Sequence, residues 1–176
     1  AMLLGSCVLF SLVGCFTFIN LHLAAEPYHL SSSDLANIYM VYLIGMVITP
    51  LSTQIIGRFG AKKTVLMAVT VSMVGVIGNL YRRVWGIVLA LAIMSTGVFI
   101  TQAATISYIA KNVTQNRSLA SGLYYMGYYT GGTIGATVCG LAYARGAWGM
   151  TVLTLLAVQV FALLVASYIM VARKAS

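Results

Sequence analysis

Six long stretches without a charged residue, separated by short charged islands, limit what this chain can become. They run from Ala1 to Ala25, Leu35 to Gly57, Thr64 to Tyr81, Val84 to Ala110, Ser118 to Ala144 and Gly146 to Ala172. A helix rising about 1.5 Å per residue needs about 20 apolar residues to cross the hydrocarbon of a bilayer. Thr64 to Tyr81 is the short stretch, and it spans if Lys62, Lys63, Arg82 and Arg83 reach out to the two interfaces. With 61% hydrophobic and 7% charged residues, a 176-residue chain carries more apolar side chain than a water-soluble interior can hold. Membrane strands would show alternation over about 10 residues, which is missing here. The expected fold is an all-α membrane protein, a single bundle of six transmembrane helices over approximately 2–24, 35–57, 63–81, 85–110, 118–143 and 147–172.

The first stretch lacks the charged start of a secretory signal and exceeds its usual length, so it reads as a span. The chain opens at an apolar Ala1 with no initiator Met, which leads us to expect a preceding segment. Cys7, Cys15 and Cys139 fall inside spans as small apolar side chains, with no disulfide framework implied. An even number of crossings puts both termini on one side. That side carries Arg58, Lys62, Lys63, Lys111, Arg117, Arg173 and Lys174; the other carries Arg82, Arg83 and Arg145 with both acids, Glu26 and Asp34. The asymmetry predicts cytosolic termini. The net charge of +8 is therefore a topology signal, and the islands are too short for a nucleic-acid surface. The sequons at Asn112 and Asn116 fall on the predicted cytosolic side and read as chance matches.

Between the second and third stretches lies Arg58-Phe59-Gly60-Ala61-Lys62-Lys63. Gly60 permits a tight turn between antiparallel helices, and the basic residues can meet helix carbonyl ends and lipid phosphates. A generic positive-inside loop would have the same charges. The pattern also resembles the signature loop of the major facilitator superfamily, Gly-x-x-x-Asp-Arg-x-Gly-Arg/Lys-Arg/Lys. Arg58, Gly60, Lys62 and Lys63 fall on the Arg, the Gly and part of the basic tail. The sequence departs from it at Thr53, Gly57 and Ala61, and without the Asp the family's charge relay cannot form. Ser121 to Gly132 is similar to the eleventh helix of bacterial inner-membrane drug-efflux-like members. The resemblance implies the C-terminal half of a secondary transporter, spans seven to twelve, built from two inverted three-helix repeats. Its partners would be the N-terminal six-helix half of the same transporter, membrane lipid and a small solute. It further implies a bacterial inner membrane, with helices seven, eight, ten and eleven lining the cavity. A faint internal echo accompanies it: Arg58-Phe59-Gly60 and Arg145-Gly146-Ala147 hold equivalent places, each followed by Thr-Val-Leu.

Polar side chains at membrane depth must turn toward protein or water, so helical periodicity sorts the faces. In the fifth span Tyr124, Tyr125, Tyr128 and Tyr129 share an arc of about 140° beside a stripe of Gly127, Gly131 and Gly135. The glycines allow close helix packing, and the tyrosines offer ring faces and hydroxyls to a solute or form an interfacial belt. The second span aligns Tyr39, Tyr42, Met46, Thr49 and Thr53, with Pro50 as a possible kink. The fourth gathers Ser95, Thr101, Gln102 and Thr105, and the first presents Thr17 and Asn20, with His22 as a solvated boundary residue. Gln159 interrupts a lipid-like final span. The candidate cavity set is Thr17, Asn20, Tyr39, Tyr42, Gln102, Thr105, Tyr124, Tyr125 and Tyr128. No carboxylate, nucleophile-base pair, metal cluster or cofactor loop lies in the spans, so enzyme chemistry, metal and cofactor are not expected. Two functions remain open: the transporter half, for a mostly apolar or weakly polar solute, and a non-transporting module that docks helices through its glycine face.

Overall fold

A computed structural model describes residues 1–172, without the side chains of Met46 and residues 169–172. Arg173 and Lys174 of the charge count lie outside the described residues. The described chain is helical nearly throughout, as a lipid environment requires of backbone groups that have no water to bond. Helices α1 (Met2–Ala24) and α2 (Ser32–Ile38) are followed by a 3₁₀ turn (Tyr39–Tyr42) that runs directly into α3 (Leu43–Phe59). Then come α4 (Ala61–Gly78), α5 (Val84–Asn112) and α6 (Arg117–Ala172). Ser31 and Asp34 close a capping box at the start of α2, satisfying amides that the helix leaves without partners.

The six separate spans expected from the sequence are not what the helices show. Five helical stretches among the described residues are long and apolar enough to cross a membrane, and the expected spans 118–143 and 147–172 merge into α6. The backbone of α6 leaves helical geometry at Gly146 (φ −151°, ψ 28°) and Ala147 (φ 51°, ψ −149°). Cys139 and Leu155 would stand about 24 Å apart along an unbroken helix. Both instead lie against Gly14 of α1. The chain therefore reverses at the break, giving α6 a first arm (residues 117–145) and a second (148–172). A reversal of similar backbone form joins α3 to α4 at Gly60 (φ 79°, ψ 154°). In each, the hydroxyl four residues on donates back to the turn carbonyl, Thr64 to Gly60 at 2.8 Å and Thr151 to Ala147 at 3.3 Å.

Two close seams hold the bundle. Along α1 and the first arm of α6, Gly127, Gly131 and Gly135 meet Met2, Ser6 and Phe10. A Cβ on Gly135 would sit 2.7 Å from the Phe10 carbonyl oxygen, and the Ser6 hydroxyl donates to the Gly127 carbonyl at 2.7 Å. Along α4 and α5, Gly75 lies against Ala90 and Met94, and Gly97 against Ala68 and Ser72. Small residues let backbones approach where lipid gives helices no hydrophobic reason to associate. Gln159 is buried rather than set toward lipid: its amide nitrogen donates to Ser11 at 3.1 Å and Ser72 at 2.9 Å, tying the second arm of α6 to α1 and α4. At the opposite end from Gly60, the Trp148 indole donates to the Asn79 carbonyl at 3.0 Å and stacks on His22, which is thus packed between rings.

Candidate functional site

Four elements bring polar and aromatic side chains onto one concave face. On α1, Phe16 and Asn20 are one turn apart and share a side. The Asn20 amide nitrogen donates to the Phe16 carbonyl at 2.8 Å and to the Tyr39 hydroxyl at 2.5 Å. Residues three apart eclipse in a 3₁₀ turn. Tyr39 and Tyr42 accordingly stack, their ring centroids 6.0 Å apart with planes at 16°. Phe16 packs on Tyr42 at 4.3 Å, and Tyr42 meets Phe99 of α5 edge to face at 6.3 Å. Gly45 makes this possible, since a Cβ there would lie 2.6 Å from the Phe99 ring. Gln102, three residues along α5 from Phe99, lies beside the Tyr128 side chain of α6.

A concavity of about 480 Å³ opens here, lined by Tyr42, Gly45, Thr49, Phe99, Gln102, Ala103 and Ile106. None of these lining residues is charged. In low-dielectric surroundings an unpaired charge is costly, whereas ring faces and neutral amides carry no such penalty. Among the described residues no group of three or more His, Cys, Asp or Glu could hold a metal ion.

The candidate set divides. Asn20, Tyr39, Tyr42, Gln102 and Tyr128 meet on this face, with Thr17 exposed beside Phe16. Tyr125 and Tyr129 are exposed on the first arm of α6, in ring contact with Tyr128. Tyr124 and Thr105 are corrections to the cavity set. Tyr124 is 1% exposed, its ring under Gly5 of α1, because it stands three and seven residues before Gly127 and Gly131 and so belongs to the seam. Thr105 is buried and donates to the Thr101 carbonyl at 2.7 Å. It continues the line of Gly97 and Thr101 toward α4, beside Lys62 and Val65. In the loop, Gly60 makes the reversal, Arg58 lies 5.4 Å from the Phe59 ring centroid, and Lys62 and Lys63 open α4. Phe16, Phe99 and Gly45 went unmarked in the sequence. The signal for the two rings was an aromatic residue about one turn before each amide, Phe16 before Asn20 and Phe99 before Gln102.

The profile of a family described as Major Facilitator Superfamily matches residues 1–176. An uncharacterized transporter of Buchnera aphidicola subsp. Schizaphis graminum is 26% identical over 145 residues, covering 82% of this chain and 35% of that protein. An uncharacterized MFS-type transporter of Bacillus subtilis, YybF, is 25% identical over 146 residues, covering 83% of this chain and 36% of that protein. The chain thus spans about a third of the length of these relatives.

Proposed function

The chain belongs to the major facilitator superfamily, and on that premise we propose that it forms the C-terminal half of a secondary transporter and one wall of its alternating-access cavity. In this reading the two arms of α6 are separate spans, giving six crossings. A straight helix of 56 residues would measure about 84 Å, nearly three times the hydrocarbon thickness. Both termini lie in the cytosol of a bacterial cell, supported by the basic residues at the Gly60 end. The half rocks against an N-terminal partner half, exposing the concave face to each side in turn.

The observation that carries the proposal is an uncharged concavity lined by Tyr42, Phe99 and Gln102, with Asn20 joined to it through Tyr39 and Tyr128 beside Gln102. The solute is small and mostly apolar or weakly polar, and drug or metabolite efflux is the expected direction. The competing role as a helix-docking module has less support, since α1 already occupies the glycine stripe.

The test is export of a solute panel, including the dye Hoechst 33342, by the full-length gene product in inverted vesicles. Tyr42→Ala and Gln102→Ala should lower the rate at least about tenfold, the loss of one or two good contacts. Leu164→Ala, on an exposed apolar face, should leave it unchanged. Parent rates in the Tyr42, Gln102 and Tyr128 alanine variants would remove the site assignment. A protein that moves nothing in the panel would remove the function.

A further inference from the structure

We propose that this wall receives a flat, uncharged aromatic ring of the solute; the inference rests on the transporter reading above. Tyr42 and Phe99 meet at 72° and form a corner, and Gly45 and Ala103 keep the surface beside it low. The corner offers one ring face for offset stacking and one ring edge for a T-shaped contact, the two geometries that aromatic pairs favour. Of the lining side chains only Tyr42, Thr49 and Gln102 can hydrogen-bond, and the Thr49 hydroxyl already donates to the Gly45 carbonyl at 2.6 Å. A polyol would bring more hydroxyls to this concavity than its lining side chains can match, and each unmatched one costs a desolvation penalty. A carboxylate or ammonium would find no opposite charge among these residues. Ring, corner and single amide together select an aromatic nucleus with at most one or two polar substituents.

A matched series of probes tests this on the purified full-length protein by equilibrium dialysis: 2-naphthol, decahydro-2-naphthol, 2-naphthoate, 2-naphthyltrimethylammonium and glucose. 2-Naphthol should bind about tenfold more tightly than its saturated analogue and more tightly than the other three. Phe99→Leu, which keeps an apolar side chain against Gly45, should cost 2-naphthol about tenfold while leaving decahydro-2-naphthol nearly unchanged. Tighter binding of glucose or of either charged analogue, or equal 2-naphthol binding by the parent and Phe99→Leu, overturns the proposal. If 2-naphthol does not bind while export still depends on Tyr42 and Gln102, the ring class fails and the transporter reading stands.

Discussion

Glycines in this chain do two different jobs, and substitution separates them. Gly60 has open space around its Cα but a backbone conformation that side chains rarely adopt. Gly131 has ordinary helical geometry but faces the backbone of Ser6. Gly60→Ala should therefore destabilise by about 1–3 kcal/mol through backbone strain alone. Gly131→Ala should cost a similar amount, about 1–3 kcal/mol, by forcing α1 and α6 apart. Gly122, also in α6 but with nothing near it, serves as the control, and Gly122→Ala should be neutral or stabilising by up to about 1 kcal/mol. Unfolding in detergent monitored by circular dichroism reads all three. The buried amide of Gln159 offers a second test. Gln159→Leu strands the hydroxyls of Ser11 and Ser72 and should cost about 1–3 kcal/mol. Changing both serines to Ala in that background should recover most of the loss, since a wholly apolar contact leaves nothing unpaired.

At the scale of elements, helix positions were legible because the bilayer dictates the length of apolar sequence. The stretch expected as the fourth span, 85–110, is helical over Val84–Asn112, and that expected as the third, 63–81, over Ala61–Gly78. Which way a polar residue faces was less legible. Periodicity placed Gln102 and Thr105 in one arc, yet the first reaches the concavity and the second turns to α4. A polar stripe marks a side that avoids lipid, and both an open cavity and a neighbouring helix satisfy that. Glycine register decides between them, since Gly97 with Thr101 and Thr105, and Gly131 with Gly127 and Tyr124, each belong to a seam. Gln159 was visible as a polar interruption, but its serine partners come from distant sequence and no local pattern names them. The reversal in α6 is also testable. Ala147 has φ 51°, so Ala147→Gly should relieve strain and raise the midpoint of thermal unfolding, whereas Ala147→Val should lower it.

For the whole molecule, the two seams differ in how the chain supplies them. The α4–α5 seam joins consecutive helices and needs only a short connection. The α1–α6 seam joins the first helix to the last, and the second arm of α6 then closes over both through Gln159. A chain ending after Asn112 keeps the first seam and loses the second. In cells it should be degraded several-fold faster than the same chain extended through Ala172, as pulse-chase labelling would show. Equal lifetimes would mean that α1 is held by something other than α6.

Ser6 and Gly127, which bond across that second seam, are 121 residues apart in the sequence. At about 5–20 residues per second, a ribosome needs roughly 6–24 s to deliver the second after the first. During that interval α1 has already entered the bilayer with the Ser6 hydroxyl and the backbone opposite Gly131 uncovered. The nascent chain thus passes through a stage when α1 waits for its mate in α6, and an insertase or a folding helper that shelters the face carrying Ser6 would act at that stage.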